Sequence, residues 1–294
     1  MSDKNYRIIQ WMTGDVGQVG VRHFASNRVY ELAGVLVHSA GKVGKDAGEI
    51  AGIAPIGVDA TDDIESIVSM DADCVFYTPI IMDVDTVCRL LRSGKNVVTT
   101  SGFFHPSPDF QDDGERVRAA CVEGGTKFLS EPTILGFGKI FFAQSMYMIA
   151  DGLGVAIDEV TSKLSAATAI EDIPHELGAI PSGTVAAQHH EFTAWVDGRP
   201  LIVFHAMYAT CGPDNIDPGW DWGKTQYRIA IEGDPATELI LAGVEKPDGT
   251  MTYPGYDWTA MGAINAIPDV CDAPTGWVNH FDLGLVQPRG LVRG

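Results

Sequence analysis

Short β-rich runs alternate with helical stretches through the first 130 residues, and this alternation limits the possible folds more than any other feature of the sequence. The β-rich runs cover 6–11, 32–37, 73–78, 95–100 and 126–129, and the helical patterns between them cover 19–27, 61–70, 83–93 and 109–124. Strands joined through helices pair in parallel by right-handed crossovers. The sequence therefore predicts an α/β fold built on a doubly wound parallel sheet.

The pattern changes after about residue 130. A helical segment at about 139–152 is followed by runs rich in Thr, Val and aromatic residues at 155–168, 184–196, 201–210, 225–232 and 237–241. Asp197 and Gly198 lie between two of these runs, and an Asp-Gly pair in that position favours a two-residue hairpin. The sequence therefore predicts a second α+β domain on a mostly antiparallel sheet.

The chain is strongly acidic, with 20 Lys and Arg against 39 Asp and Glu and a formal net charge of −19. Binding to nucleic acid normally needs a basic patch that displaces counterions from phosphates, so no nucleic-acid partner is expected. No window reaches the roughly 18 apolar residues of a membrane helix and the N-terminus is polar, which predicts no membrane contact and a cytoplasmic location. The five cysteines show no C-x-x-C spacing, and no metal site is expected.

Three glycines, Gly14, Gly17 and Gly20, lie between the first β-rich run and the first helical stretch. Bare backbone at such a junction lets a diphosphate approach the N-terminus of a helix. The chain contains 33 glycines, which produce such spacings by chance, so an ordinary turn is the alternative. The position between strand and helix favours a Rossmann-type dinucleotide site.

The end of the second strand bears on the choice of cofactor. In NAD-selective sites an acidic residue there binds the ribose 2′-hydroxyl, whereas this chain has His38 and Ser39. No carboxylate repels a 2′-phosphate, Ser39 can donate a hydrogen bond, and Lys42 or Lys45 can supply positive charge. The sequence therefore predicts NADP, with NAD as the alternative. In the other interpretation, the two lysines are solvated loop residues.

Seven segments distributed over most of the chain resemble one group of oxidoreductases. They are RIIQWMTGDVGQVGVR (7–22), KVGKDAGEIAGI (42–53), DCVFYTP (73–79), NVVTT (96–100), FAQSMYMIADGLG (142–154), GTVAAQHHEFTAWVDGRPLIVF (183–204) and NAIPDVCDAPTG (265–276). With these segments the chain resembles the dihydrodipicolinate-reductase-like oxidoreductases, especially the branch of 2,4-diaminopentanoate dehydrogenase and the native amine dehydrogenases. The resemblance implies an NAD(P)-binding Rossmann domain at 1–130 and a substrate-binding and dimerisation domain at 131–262. It also implies that a C-terminal segment, 263–294, packs back on the first domain.

The same resemblance assigns residues to the cofactor. The residues implied to hold the diphosphate are Gly14, Asp15, Val16 and Gly17. Those implied at the adenosine ribose are His38, Ser39 and Lys42, and those implied to border the nicotinamide are Thr78, Pro79, Thr100 and Ser101. In two places the chain departs from these relatives. The glutamate that follows the NVVTT strand in the amine dehydrogenases is absent, and the stretch 125–139 is shorter.

These features predict an oxidoreductase that transfers hydride to or from a C=O or C=N carbon of a small, fairly apolar substrate, of the amine dehydrogenase or imine and ketone reductase type. Ser101 and His105 are the candidate catalytic residues, because serine can hydrogen-bond the reacting group and histidine titrates near neutrality. The alternative is a catalytically reduced NADP-binding sensor or scaffold protein. The exposed edge and apolar face expected for the second sheet predict a homodimer.

Two further groups of residues allow more than one interpretation. His189 and His190 are consecutive on a predicted strand, so they point to opposite faces and cannot bind one metal in the usual way. Several aromatic residues of the second half could line an apolar substrate pocket or belong to a core or interface. They are Trp220, Trp222, Tyr227, Tyr253, Tyr256 and Trp258.

Overall fold

The computed structural model describes residues 5–103, 105, 107–131, 139–175, 178–209, 211–220, 226–245, 247, 249 and 255–290. The chain divides into two compact units, one formed by residues 1–136 and 255–294 and the other by residues 137–254. Residues 255–262, which the sequence interpretation placed in the second domain, therefore lie in the first unit. Within the described ranges, no helix is long and apolar enough to cross a membrane.

The predicted strands and helices of the first 130 residues occur in the predicted order, and a short helix at Ala47–Ile50 and a two-residue strand at Ala60–Thr61, which the patterns did not indicate, lie among them. The strands are β1 (Tyr6–Trp11), β2 (Tyr30–Leu36), β3 (Ala60–Thr61), β4 (Cys74–Tyr77), β5 (Asn96–Thr99), β6 (Lys127–Ser130), β7 (Glu159–Ala169), β8 (Ile173–His175), β9 (Gly178–Ile180), β10 (Val185–Val196), β11 (Arg199–Ala209), β12 (Ile216–Asp217), β13 (Gln226–Ile231), β14 (Thr237–Ala242) and β15 (Gly276–Trp277). The helices are α1 (Asp15–Ser26), α2 (Ala47–Ile50), α3 (Ile64–Ser69), α4 (Val84–Arg92), α5 (Gln111–Gly124), α6 (Lys139–Leu153), α7 (Tyr256–Asp272) and α8 (His280–Leu283).

The first unit is built on a parallel sheet with the strand order β15-β6-β5-β4-β1-β2-β3. Its central strands are buried on both faces: Ile8 and Phe76 belong to one hydrophobic cluster, and Ile9 and Val75 to the other. Two-sided burial explains why these strands are continuously apolar rather than alternating. The predicted Rossmann-type doubly wound sheet is confirmed. The strand order reverses between β1 and β4, and the carboxyl ends of strands at such a point are where ligands bind in open α/β sheets.

The C-terminal segment completes the first unit. Helix α7 contacts α1, β5 and β6 and buries Ala263, Ile264 and Ile267 in the cluster that also contains Ile8. The sequence patterns did not predict α7, within which Pro268 lacks an amide hydrogen and interrupts the helical signal. After α7, β15 pairs in parallel with β6, with Trp277 opposite Phe128. This pairing adds a strand to the edge of the sheet from a distant part of the chain.

The second unit contains an antiparallel sheet with the order β11-β10-β7-β12. Asp197 (φ 50°) and Gly198 (φ 69°) connect β10 to β11, and positive φ at both positions is what a type I′ hairpin turn requires. One face of the sheet packs against α6, where Phe142 contacts Phe192 with ring centroids 5.0 Å apart. The prediction of a separate, mostly antiparallel α+β unit is confirmed.

Candidate active site

The glycine turn lies where β1 ends and α1 begins, at the carboxyl edge of the parallel sheet. Gly14 is the N-cap of α1 without a side-chain cap, and a Cβ built on it would meet no atom within 4 Å. A Cβ on Gly17 would lie 2.2 Å from the Met12 carbonyl oxygen, and one on Gly20 2.4 Å from Gln10 Oε1. Gly17 and Gly20 thus let the helix pack closely on the strand, while Gly14 leaves the helix N-terminus open.

An open N-terminus suits a dinucleotide diphosphate, because the first turn of a helix presents backbone N–H groups without partners inside the helix and carries partial positive charge. Asp15 is exposed, whereas Val16 and Gly17 are buried. The backbone of this turn is therefore the part that fits a diphosphate. The exposed Asp15 carboxylate adds negative charge beside it.

Lys42 links the end of the second strand to the glycine turn. Its Nζ donates hydrogen bonds to the Thr13 carbonyl oxygen at 2.8 Å and to Thr13 Oγ1 at 3.1 Å. His38 and Ser39 lie exposed between β2 and the 3-10 turn at 40–42. The fold therefore brings the Lys42 ammonium group beside the glycine turn, while Ser39, three residues earlier in the chain, is exposed. Lys45 is exposed.

The predicted nicotinamide residues meet at the carboxyl ends of β4 and β5. Thr78 Oγ1 donates to the Trp11 carbonyl oxygen at 2.9 Å, which ties the end of β4 to that of β1. Ser101 Oγ donates to the Pro79 carbonyl oxygen, and Thr100 is buried. The structure therefore brings Thr78 and Pro79 next to Thr100 and Ser101. The Ser101 hydroxyl hydrogen is thus used in a hydrogen bond to the protein backbone.

The segment after β5 is packed inward. Gly102 has φ +81°, and a Cβ on it would lie 2.8 Å from the Met82 side chain. Phe103 is buried in the core, with its ring centroid 5.3 Å from those of Phe110 and Trp277. His105 is buried as well. Packing therefore restricts Gly102 and Phe103: an acidic side chain would meet Met82 at the first position and the aromatic core at the second.

A buried carboxylate that sequence reasoning missed lies one strand further along. Glu131 directly follows β6; its backbone N–H donates to the Thr99 carbonyl oxygen at 2.8 Å, and its side chain is 9% exposed. His280, at the start of α8, lies with Nε2 2.8 Å from Glu131 Oε1. The hydrogen bond to Glu131 raises the pKa of His280 above its ordinary value, against the opposing effect of burial. The available signal was Glu131 itself, an acidic residue at the carboxyl end of a predicted strand.

The consecutive histidines of β10 point to opposite faces of the sheet. His189 Nε2 lies 2.9 Å from His205 Nδ1, and Glu191 Oε2 lies 3.8 Å from the same nitrogen. His190 stacks on Phe192 instead, with ring centroids 6.2 Å apart. Burial and the neighbouring His205 lower the pKa of His189. Among the described residues, His189, Glu191 and His205 form a group spaced for a metal ion, which the sequence did not reveal because the third member lies on the neighbouring strand.

The predicted aromatic cluster does not assemble within one unit. Trp220 lies beside His189 in the second unit, with ring centroids 5.8 Å apart, and Tyr227 is on β13. Tyr256 and Trp258 begin α7 in the first unit. Trp222 and Tyr253 lie outside the described residues, as do residues 132–138 of the stretch expected to be shortened.

A doubly wound parallel sheet with an open helix N-terminus beside its reversal point, joined to an antiparallel-sheet unit, defines the class of two-domain NAD(P)-dependent oxidoreductases. The chain has this fold in common with an amine dehydrogenase from Mycobacterium smegmatis (TM-score 0.78, 17% identity, 97% of this chain and 98% of the other covered). It also resembles a biliverdin reductase from Synechocystis solved with biliverdin and NADP+ (TM-score 0.55, 12% identity, 95% and 94% covered).

Residues 120–292, more than half of the chain, match the model of the 2,4-diaminopentanoate dehydrogenase C-terminal domain. An amine dehydrogenase from Streptomyces virginiae is 26% identical over 358 aligned positions, covering 97% of this chain and 98% of that protein. The chain belongs to the 2,4-diaminopentanoate dehydrogenase family and is an amine dehydrogenase-like, NAD(P)-dependent oxidoreductase. The 358 aligned positions exceed its 294 residues, so the Streptomyces protein contains segments that this chain lacks.

Proposed function

We propose that this enzyme prefers NADP and transfers hydride to or from a C=O or C=N carbon of a small, fairly apolar substrate. The observation that supports this most directly is the open N-terminus of α1 at Gly14, placed at the same edge of the sheet as Thr78, Pro79, Thr100 and Ser101. A bound nicotinamide supplies or accepts the hydride. The chain's own residues hold the cofactor and position the substrate, with Ser101 and His105 as the first candidates for contact with the reacting group.

The experiment is a panel of turnover assays that follow cofactor absorbance. Ketones with ammonia, ketones alone, and amines or alcohols in the reverse direction are compared with both cofactors. We expect ketone reduction with NADPH to exceed ammonia-dependent turnover, because no carboxylate follows β5 to hold an ammonium or iminium charge. Equal or faster ammonia-dependent turnover would contradict that expectation.

A second function, an NADP-binding sensor or scaffold protein, is favoured by one observation. The segment that holds the acidic residue in the amine dehydrogenases is here buried at Phe103 and His105. Tight NADPH binding without turnover of any carbonyl, amine or alcohol would support this alternative. Turnover of any of these substrates at an enzymatic rate would exclude it.

The preference for NADP leads to a prediction about two lysines. Replacing Lys42 and Lys45 together by alanine is expected to remove most of the preference for NADPH over NADH, roughly a tenfold change in the ratio of dissociation constants, or about 1.4 kcal/mol. The reason is that positive charge near Ser39 favours the 2′-phosphate of NADPH alone. Calorimetric titration of both cofactors measures the ratio, and Lys163→Ala on β7 is the matched control. An unchanged ratio in the double variant would refute the electrostatic argument.

We further propose that the enzyme is a homodimer formed through the outer face of the β11-β10-β7-β12 sheet. Val203 and Met207 lie on this face, 48% and 41% exposed. Burial of apolar side chains of this size drives association. The double variant Val203→Asp, Met207→Asp is expected to be a monomer by light scattering at micromolar concentration, whereas the control Val122→Asp, on α5, stays dimeric. A monomeric wild type would contradict the proposal.

The cytoplasmic location expected from the sequence stays a prediction.

A further inference from the structure

The Glu131–His280 pair is an acid–base pair at the substrate end of the sheet that the predicted site residues do not include. Glu131 is fixed by its backbone hydrogen bond to Thr99, and the preceding residue, Ser130, donates from Oγ to the Ser101 carbonyl oxygen at 3.1 Å. These two hydrogen bonds hold Glu131, at the end of β6, beside the end of the adjacent strand β5, which leads into Thr100 and Ser101. The carboxyl ends of adjacent parallel strands share one edge, so Glu131 lies at the edge where the nicotinamide residues meet.

His280 is held in place from the other side by the C-terminal segment. Val278 N–H donates to the Phe128 carbonyl oxygen at 2.9 Å and so continues the pairing of β15 with β6. Asn279 caps α8 by accepting from Phe281 N–H, and the Asp282 carboxylate accepts from Asn279 N–H. These hydrogen bonds hold the backbone of His280 in place.

The orientation of the His280 ring determines which of its two nitrogens can exchange a proton with a substrate. Nε2 faces the Glu131 carboxylate, so Nδ1 is the nitrogen able to exchange a proton with a substrate, and the His280 side chain is 34% exposed. A buried carboxylate that holds one nitrogen of an imidazole fixes its tautomer and stabilises its protonated form, as in hydrolase triads. On this arrangement, Glu131 positions the ring and His280 carries the proton.

We propose that His280 is the proton donor for carbonyl or imine reduction in this enzyme, and that Glu131 is the residue that positions it. The inference rests on the proposed function. In the reductive direction a bound reduced nicotinamide would supply the hydride, with its electron pair, to the substrate carbon. The π electrons of the C=O or C=N bond move to the oxygen or nitrogen, which takes the proton from His280 Nδ1. The imidazolium becomes neutral imidazole, and the reverse reaction returns the proton to it.

The charges around the pair set the direction of its pH dependence. Among the described residues, Glu131 is the charged group that raises the pKa of His280. Neighbouring elements also carry Arg118, which lies over the Trp277 ring, Lys127, whose Nζ donates to the Cys271 carbonyl oxygen, and Asp282. Reduction needs the protonated ring, so kcat falls as pH rises through the pKa of His280. Removing the Glu131 charge lowers that pKa, and the fall then begins at lower pH.

The test combines kinetics with an NMR titration. In Glu131→Gln, which retains a hydrogen-bonding side chain, the alkaline fall of kcat is expected to move to lower pH by about one unit. In His280→Asn, which can still donate to Glu131, kcat for reduction is expected to drop roughly 100-fold and to lose this pH dependence. His23→Gln, on α1, is the control for loss of an imidazole. Proton NMR of the cofactor-free protein, with His280 assigned by its absence in His280→Asn, is expected to show the same pKa change in Glu131→Gln.

The outcomes separate this inference from the proposed function. If the wild type turns over its substrate and both variants keep its pH profile, the pair only tethers the C-terminal segment and the proton-donor role is refuted. A pKa of His280 that Glu131→Gln does not change would also refute it. If the wild type binds NADPH but turns over no substrate, the proposed function fails, and the role of His280 fails with it. If His280→Asn does not fold, the pH profile of Glu131→Gln decides.

Discussion

Replacement of Phe103 by glutamate is expected to destabilise the first unit strongly. The Phe103 ring is buried against Phe110, Phe128 and Trp277, so the variant loses these contacts and places a charge in an apolar core. Loss of a buried phenylalanine alone costs about 3–5 kcal/mol, and an unpaired buried carboxylate adds to that cost. Thermal denaturation should show a decrease in Tm of roughly 10 °C or more.

Phe103→Leu is the matched control, because it retains an apolar side chain and is expected to cost less than about 1.5 kcal/mol. A Phe103→Glu variant as stable as the wild type would show that this side chain can turn out of the core. Gly102→Glu offers no easier route to an acidic residue. Its Cβ would lie 2.8 Å from the Met82 side chain, at a φ of +81° that favours glycine.

Alanine substitutions at Gly14 and Gly17 are both expected to weaken cofactor binding, but only Gly17→Ala is expected to lower the stability of the fold substantially. The Cβ of Gly17→Ala would lie 2.2 Å from the Met12 carbonyl oxygen, which is backbone, so the helix must shift from the strand. We expect a loss of roughly 1–3 kcal/mol in the free energy of unfolding and a more than tenfold weaker affinity for NADPH. In Gly14→Ala the added methyl meets open space and the backbone has φ −71°, which alanine adopts readily.

Gly14→Ala should therefore change the free energy of unfolding by less than about 1 kcal/mol. Its affinity for NADPH should still fall about tenfold, because the methyl group occupies the space through which a diphosphate approaches the helix N-terminus. Chemical denaturation and calorimetric titration measure the two quantities independently. Wild-type affinity in Gly14→Ala would show that the diphosphate does not approach at this residue.

The residues that follow β5 illustrate why a site is harder to predict than a fold. A resemblance indicates this position as part of the site, and the structure places the buried Phe103 there. The buried carboxylate at this edge of the sheet comes from Glu131, after β6, and its partner His280 is 149 residues further along the chain. No local pattern connects two such residues. Their proximity depends on the pairing of β15 with β6, a strand of two residues with no sequence signal of its own.

The sequence by itself determined the parallel sheet, the glycine turn and the hairpin at Asp197–Gly198. In each case the cause is local: apolar runs and helical periodicity specify strands and helices, and particular residues permit tight turns. The tertiary structure decided that α7 forms across Pro268 against α1, that Phe103 turns inward, and that Glu131 meets His280. These outcomes depend on burial and on partners distant in sequence, because packing against another element compensates for a local signal that is weak or unfavourable.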